Sequence, residues 1–259
     1  MSEQGYADKR AYFDRMLTLY GRKPALEALR DKALECHALH LAHSNREGGI
    51  VGELINAAEQ RGIPVQRHSR EELARISRNG KQDQGVALDV ICPAFQSVGG
   101  YLDTLDSARP QRLLALDGIT NPQNLGMIVR SAAAGDIDGL LWARKGNAAP
   151  GPLVVKASAG TLYRAPVLTC PELPGALEQC QRHGFDVCTL ESSAQTDLFA
   201  YQPQRHCVFV LGNETDGVSS KVSRLAQQKL SIPMNNGVES LNVAVTASLI
   251  AYAGRIERG

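Results

Sequence analysis

The sequence predicts an α/β protein with a small N-terminal domain and a larger C-terminal domain built on a mainly parallel β-sheet. Its 259 residues, of which 43% are hydrophobic and 21% charged, exceed an average single domain and are ordinary for a globular protein. In the C-terminal part, short apolar runs alternate with helical segments, a pattern that indicates parallel strands covered by helices on both faces. We therefore expect the functional site at the loops that leave the carboxyl ends of these strands.

The N-terminal part alternates helical and strand-like segments. Hydrophobic spacing predicts helices over residues 11–19, 24–34 and 51–60, and strands near residues 38–42, 63–67 and 85–91. Ser69 with Glu72 forms a capping-box pattern for a further helix that runs through Ile76. Adjacent glycines and weak periodicity after Cys92 favour a linker. The predicted division is an extension over 1–19, a first domain over 20–92, a linker over 93–111 and a second domain over 112–259.

Three loops of the second domain share an unusual composition. They follow the apolar runs LLALD (113–117), CVFVLG (207–212) and LSIPM (230–234), and further strands are predicted at GLLWA (139–143), APVLT (165–169) and FDVCTL (185–190). Each of the three loops is rich in Asn, Gly or charged residues and leads into a helical pattern, the first near Asn124 and the last near Leu241. We expect these loops to assemble one site.

Several common kinds of site are missing from the sequence. No GxGxxG follows a strand and GNETDG (212–217) lacks the Lys and Ser or Thr of a phosphate-binding loop, which argues against dinucleotide-binding enzymes and NTPases. A serine nucleophile elbow is also missing. The six cysteines form no CxxC pair, so we expect reduced, mostly buried thiols and no metal. Without a long apolar run or a signal-peptide core, the chain is expected to be soluble and cytoplasmic.

The net charge of +1 hides an uneven distribution of basic residues. They are concentrated over residues 9–23, 61–81 and 144–164. Such stretches fit contacts to a phosphate backbone, and solvated helix faces are an equally good interpretation of any one of them. If the partner is RNA, the candidate contacts are Arg67, Arg70, Arg78, Lys81, Arg144 and Lys145.

The three loops carry motifs that resemble those of a known family. NPQNLGMIVRSA resembles motif 1 of the SpoU (TrmH) branch of the SPOUT RNA ribose 2′-O-methyltransferases, LGNETDGVS resembles motif 2, and IPMNNGVESLNVAVTASLIAYA resembles motif 3. The segments YGRKPALEALRD and QGVAL resemble the small L30e-like RNA substrate-binding domain found in 23S rRNA guanosine 2′-O-methyltransferases, with Asp83 in place of the usual His. The resemblance implies an L30e-like α/β domain followed by a catalytic α/β domain with a deep C-terminal trefoil knot. It also implies a homodimer.

The resemblance also implies the roles of particular residues. By this resemblance, the catalytic residues of the chain would be Asn124, Arg130, Glu214, Ser240 and Asn242. The S-adenosyl-L-methionine (SAM) site would include Leu211, Gly212, Asn213, Ile232, Met234, Ser240 and Leu241. Arg130 would help to activate the ribose hydroxyl, although a guanidinium needs a proton relay to act as a base. Asn124 and Ser240 are also well placed to cap their helices, and Glu214 to anchor Arg130 or a second subunit.

The predicted function is thus SAM-dependent methylation of a ribose 2′-hydroxyl in RNA, most specifically of a guanosine in 23S rRNA. The N-terminal domain favours rRNA, because tRNA enzymes of the family usually lack it. A tRNA target within the same family, and a non-catalytic RNA-binding or ribosome-assembly factor that kept the fold, are the alternatives. A non-catalytic factor would have no need for all five residues that the resemblance gives as catalytic.

Overall fold

The computed structural model describes residues 11–106 and 109–256. The described residues up to Pro93, with Pro150–Pro152, form one compact unit, here called unit 1. Those from Ala94 to Ala149 and from Leu153 onwards form unit 2. The predicted α/β class is confirmed, with the mainly parallel sheet in unit 2.

Unit 1 is built on a sheet of four described strands in the order β1-β4-β2-β3. Strands β1 and β2 are antiparallel to β4, and β3 is parallel to β2. In chain order the elements are β1 (Met16–Tyr20), α1 (Arg22–Arg30), β2 (Glu35–Ala42), α2 (Gly49–Gln60), β3 (Val65–His68), α3 (Arg70–Ser77) and β4 (Val86–Ile91). The capping box predicted for α3 is present: Glu72 N donates to Ser69 Oγ at 3.2 Å, and Ser69 N donates to Glu72 Oε2 at 2.8 Å.

The start of unit 1 differs from the prediction. Residues 11–14 are helical, but the predicted helix does not continue to residue 19, because Met16–Tyr20 is a strand. The alternation in MLTLY decides this: Leu17 and Leu19 point into the core and are 4% and 0% exposed. Residues 16–19 thus belong to unit 1 and not to an extension, while residues 1–10 of that predicted extension lie outside the described residues.

Unit 2 contains a sheet of eight described strands in the order β10-β12-β9-β11-β6-β7-β8-β5, and its neighbouring strands are parallel. The strands are β5 (Gln96–Ser97), β6 (Arg112–Leu116), β7 (Gly139–Ala143), β8 (Val167–Cys170), β9 (Phe185–Leu190), β10 (Thr196–Asp197), β11 (His206–Leu211) and β12 (Gln228–Ser231). The α-helices are α4 (Val98–Asp103), α5 (Pro122–Ala134), α6 (Pro152–Ala157), α7 (Leu173–Arg182), α8 (Ser220–Ser223) and α9 (Val243–Ile256), and Thr161–Arg164 is a 3₁₀ helix.

The linker predicted over residues 93–111 is wrong for most of its length. Strand β5 pairs with β8, and the helix α4 that follows it packs on the same sheet. Ser97 caps α4 by accepting a hydrogen bond from Gly100 N at 3.2 Å. Two-residue strands and a helix containing Gly99 and Gly100 leave almost no periodic signal, which is why the pattern resembled a linker.

The last helix, α9, packs along α5. Ser131 Oγ lies 2.8 Å from Ser248 Oγ, and the backbone approaches so closely at Gly135 that a Cβ there would be 2.6 Å from Ala251 O. Because α5 follows the central strand β6 and α9 follows β12, this packing brings the first and last predicted motifs together.

Candidate active site

The crevice between β6 and β11 lies where the chain changes direction across the sheet. From β6 the chain continues to β7 and β8 on one side, whereas β11 lies on the other side and leads to β12. In open parallel sheets such switch points form ligand-binding crevices at the carboxyl ends of the strands. The two loops at this point are bonded to each other: Asn213 Nδ2 donates to Gly118 O at 2.8 Å, and Ser219 N donates to Asp117 Oδ2 at 2.7 Å.

The loop after β11 is a tight turn with no room for a side chain at its start. Asn213 and Gly217 exchange backbone hydrogen bonds of 3.0 and 2.9 Å, and Thr215 N donates to Asn213 Oδ1 at 2.8 Å. A Cβ at Gly212 would lie 2.3 Å from the carbonyl carbon of Gly217 and 2.4 Å from Val218 N. Glycine is therefore required at position 212 for the loop to close.

One hydrogen-bonded chain joins the three motifs. The Nδ2 group of Asn124, on α5, donates to Glu214 Oε1 in the loop after β11. The Oδ1 atom of Asn124 accepts from Asn242 Nδ2, next to α9, at 3.3 Å. Asn124 is only 7% exposed, so its amide connects two exposed residues from inside the protein. The structure thus brings Asn124, Glu214 and Asn242 together at one point.

The capping roles expected from the sequence fall on other residues. Asn121, not Asn124, is the N-cap of α5, and its side chain accepts from Gln123 N at 2.9 Å. At α9 it is Asn242, not Ser240, whose side chain accepts from a helical amide, that of Ala244, at 2.9 Å. Freed from capping, Asn124 is available for the contacts described above.

Arg130 does not join this hydrogen-bonded chain. It lies six residues after Asn124 on α5, and at about 100° per residue this places it roughly 120° around the helix. Its side chain is exposed and makes no hydrogen bond or ion pair within the described residues, so Glu214 does not anchor it within one chain. Met127, 43% exposed, lies three residues earlier on the same side of α5.

The segment between β12 and α9, residues 232–242, has few internal contacts. It contains a turn with left-handed Asn236 and Gly237, closed by a bond of 3.2 Å from Val238 N to Asn235 O. Among described residues this is its one internal backbone hydrogen bond. The predicted cofactor residues Ile232 and Met234 are half-buried here, Ser240 and Leu241 are exposed, and Leu211 is buried at the end of β11.

Asn147, which the sequence reasoning missed, links the loops after β6 and β7. Its Oδ1 accepts from Ile119 N at 2.8 Å, and its Nδ2 donates to Leu116 O at 3.0 Å and to Ala143 O at 3.2 Å. The available signal was its position, since it follows the predicted strand GLLWA just as Asn124 follows LLALD. Asn147 therefore holds the rim of the crevice beside β6.

The predicted RNA contacts of unit 1 gather at one end of its sheet. Strands β1, β2 and β3 all end there and β4 begins there, because β4 is antiparallel to β1 and β2. Arg70, Arg78 and Lys81 are exposed at this end, and Arg67 pairs with Glu47 at 2.5 Å. The structure adds further basic residues that were not predicted as contacts: Arg22, Lys23 and Arg46. In unit 2, Arg144 and Lys145 are exposed at the end of β7.

The cysteines are free thiols, and all but Cys36 are buried. Burial raises the pKa of Cys92, Cys180 and Cys188 to about 12 and that of Cys170 to about 11. Over residues 11–106 and 109–256, no cluster of three or more His, Cys, Asp or Glu side chains could hold a metal ion. In the same residues no helix combines the length and apolarity that a membrane crossing requires.

Comparison with known proteins gives two family matches that together span nearly the whole chain. Residues 111–252 match the SpoU rRNA Methylase family, and residues 18–94 match the family of RNA 2′-O ribose methyltransferase substrate-binding domains. An uncharacterized tRNA/rRNA methyltransferase of Mycobacterium avium is 32% identical over 243 residues, which cover 93% of this chain and 78% of the relative. A relative from Mycolicibacterium vanbaalenii with the same description is 33% identical over 231 residues, covering 89% of this chain and 73% of the relative.

Solved structures share the fold across both units. The SpoU methyltransferase AviRb from Streptomyces viridochromogenes, crystallised with AdoMet, superposes with a TM-score of 0.61 at 21% identity, covering 95% of this chain and 92% of AviRb. An AdoMet-bound rRNA methyltransferase from Sinorhizobium meliloti superposes with a TM-score of 0.60 at 19% identity, covering 98% and 91%. The two family matches, the identity to the mycobacterial relatives and the shared fold lead to one conclusion: this chain belongs to the SpoU rRNA methylase family of SPOUT methyltransferases.

Proposed function

We propose that this SpoU-family methyltransferase transfers the methyl group of SAM to the ribose 2′-hydroxyl of a guanosine in 23S rRNA, acting as a homodimer in the cytoplasm. The observation that carries the proposal is the hydrogen-bonded chain Glu214–Asn124–Asn242, which joins all three motifs at the switch point of the parallel sheet. A protein that only binds RNA would not need a buried Asn124 held from both sides.

The residues at the crevice fit SAM. A tightly closed loop at Gly212 and a segment 232–242 with only one internal backbone hydrogen bond among its described residues suit a ligand with many polar atoms, such as the adenosine and methionine parts of SAM. We propose that Leu211, Gly212 and Asn213 hold it on one side, and Ile232, Met234, Ser240 and Leu241 on the other. When bound, SAM supplies an electrophilic methyl on a sulfonium, which leaves as a neutral thioether.

The protein must orient the ribose hydroxyl and provide for removal of its proton. A hydroxyl is a poor nucleophile near neutral pH, so positioning and proton transfer are what the side chains can contribute. We propose that Arg130 binds the RNA beside the reacting hydroxyl and that the proton leaves through a neighbouring acceptor, because a guanidinium remains protonated. Glu214 and Asn242 position the loops on either side through Asn124.

A homodimer would place Arg130 beside an active site at the subunit interface. Within one chain Arg130 projects away from Asn124, on the part of α5 that bears the exposed Met127. The neighbouring helix α9 exposes Val245 and Tyr252, which are 47% and 40% accessible. We propose that a second copy of the chain covers this apolar surface and that Arg130 serves the site at the resulting interface.

An rRNA target is favoured by the presence of unit 1 ahead of the catalytic unit. The end of its sheet that carries Arg70, Arg78 and Lys81 is here called the basic end. The mycobacterial relatives are described as tRNA/rRNA methyltransferases, so tRNA is the second candidate. The deciding experiment incubates the protein and tritiated SAM with rRNA and tRNA from cells that lack the protein, and then maps alkali-resistant riboses. A single new site in 23S rRNA is the expected result; methylation of tRNA alone would overturn the rRNA assignment, and no methylation of either RNA or of ribosomal particles would overturn the activity.

A further inference from the structure

A ladder of polar side chains crosses the sheet of unit 1. Thr18 on β1 donates its hydroxyl to Asp89 Oδ1 on β4 at 2.6 Å. The second carboxylate oxygen, Asp89 Oδ2, lies 3.0 Å from Nε2 of His40 on β2, and His40 Nδ1 lies 3.0 Å from Nε2 of His68 on β3. The ladder thus contacts each described strand of the sheet in turn, in the spatial order β1-β4-β2-β3. The buried His40 and Asp89 form its middle, and the part-exposed His68 forms its end.

With both imidazoles neutral, the hydrogen-bond pattern assigns one proton to each ring. A carboxylate can only accept, so His40 Nε2 carries the proton that it donates to Asp89. When His40 is neutral, its Nδ1 accepts and His68 Nε2 is the donor. His68 Nδ1 is left as the titratable atom, and it has no partner within the described residues.

Protonation of His68 therefore breaks no bond in the ladder. The added proton goes to Nδ1, while Nε2–H continues to donate to His40. His206 in unit 2 shows the opposite arrangement, because its Nδ1 accepts from Gln111 N at 2.9 Å and protonation would remove that acceptor. The ladder is thus compatible with both charge states of His68.

The surroundings of His68 leave it neutral in the free protein near pH 7. Burial lowers its pKa, His40 and His43 on β2 and its following loop lower it further, and Glu72 on α3 acts in the opposite direction. The remaining helix packed on β3, α2, brings no charged group among those that act on His68 in the described chain. A nearby polyanion would raise this pKa, because it stabilises the imidazolium.

We propose that His68 is a protonation-dependent contact to an RNA phosphate, held in place by the contact of its Nε2 with His40 at the end of the ladder. Its position supports this: His68 ends β3 at the basic end of unit 1, between Arg67 and Arg70. The inference rests on the proposed function, since it assumes that unit 1 holds the RNA substrate. It makes RNA binding tighter as the pH falls, beyond what the fixed charges of Arg and Lys can produce.

The expected size follows from linkage. If bound RNA raises the pKa of His68 by about one unit, the protonated protein binds about tenfold more tightly than the neutral one. His68 gains much of its proton between pH 8 and pH 6 when RNA is bound. The Kd for RNA should therefore decrease about three- to tenfold as the pH falls from 8 to 6 at constant ionic strength. His68→Gln can still donate to His40 but cannot gain a proton, and it should bind RNA with little dependence on pH.

The test measures Kd for fluorescein-labelled fragments of 23S rRNA by anisotropy at pH 6, 7 and 8 with wild type, His68→Gln and the control His43→Gln. His43 is exposed at the same end of the sheet and is not part of the ladder. We expect the control to keep the pH dependence of wild type and His68→Gln to lose it. In wild-type protein, the pKa of His68 followed by NMR should rise when RNA is added, a measurement that needs no variant.

Three results would overturn the proposal. Equal pH dependence of His68→Gln and wild type would remove His68 from the interface while leaving RNA binding intact. Loss of the pH dependence in His43→Gln alone would assign the contact to His43. No RNA binding by wild type at any pH would refute both this proposal and RNA recognition by the protein. The anisotropy of wild-type protein alone separates this outcome from one in which RNA binds but His68 makes no contact.

Discussion

Replacing Gly212 by alanine is expected to damage both the stability of unit 2 and its affinity for SAM. The added Cβ would lie 2.3 Å from the carbonyl carbon of Gly217, 2.4 Å from Val218 N and 2.5 Å from Gly217 O. These are backbone atoms of one short loop, so no side chain can rotate away. Restoring a normal contact requires the loop to move by roughly 1 Å, and overpacking of this kind costs about 1–3 kcal/mol.

This cost predicts two measurable changes. A loss of about 1–3 kcal/mol lowers Tm by roughly 3–9 °C in a chain of this size. If the displaced loop is the one that holds SAM, the same energy also weakens SAM binding by about 5- to 150-fold. Thermal unfolding and isothermal titration with SAM measure the two effects separately.

Gly175→Ala is the matched control, because Gly175 lies within α7 and a Cβ there meets nothing within 4 Å. The same substitution should raise Tm slightly, since alanine favours a helix over glycine. An unchanged Tm in Gly212→Ala would refute the steric reasoning. A reduced Tm with normal SAM affinity would instead remove this loop from the cofactor site.

Four further predictions follow from the described contacts. Arg130→Ala should abolish methyl transfer but leave Tm and SAM affinity close to wild type, because the exposed side chain has no partner among the described residues. Combined replacement of Arg67, Arg70 and Arg78 by alanine should weaken RNA binding and reduce the slope of log Kd against log salt by roughly 2, at about 0.7 per phosphate contact with single strands. Stability should fall as the pH drops below about 6.5, because burial lowers the pKa of His206 in the folded protein, where the neutral ring accepts from Gln111 N. In His206→Gln the decrease in Tm between pH 7.5 and 5.5 should be smaller. At pH 8 the folded protein should expose one accessible thiol per chain, that of Cys36, against six after unfolding, as counted with Ellman's reagent; its reaction should be slower than that of an unfolded thiol, because burial raises the pKa of Cys36.

Controls separate these effects from general damage. Arg182→Ala removes another exposed arginine, on α7, and should keep full activity. An Arg130→Ala protein that melts earlier than wild type would show a structural role instead. An unchanged salt slope in the triple variant, an equal pH response in His206→Gln, or several fast thiols in the folded protein would each contradict the corresponding prediction.

The order of strands and helices in unit 2 and the location of its chemistry could be predicted from sequence. LLALD and CVFVLG are apolar because these parallel strands are buried on both faces, and Leu113, Leu114 and Ala115 are in fact 0% exposed. LSIPM matches only the end of β12, which stops at Ser231, and Leu230 is its one buried residue. Polar loops after these strands then had to lie at one edge of the sheet. The short strand β5 and the glycine-containing helix α4 escaped prediction, because two paired residues and a six-residue helix have no measurable periodicity.

The partners of individual side chains were decided by the tertiary structure alone. The sequence placed Asn124, Glu214 and Asn242 in three separate motifs, but only the packing of α9 on α5 and the bonding of the loops after β6 and β11 bring them into contact. The same packing leaves Arg130 on another side of its helix, so that Glu214, which was expected to anchor Arg130 or a second subunit, does not contact Arg130 within one chain. In unit 1, Thr18, Asp89, His40 and His68 are distant in sequence and carry no motif, and strand order and register alone align them. Sequence thus determined which segments are buried, since burial follows from local composition, whereas hydrogen bonds between distant segments depend on register and packing that no local pattern encodes.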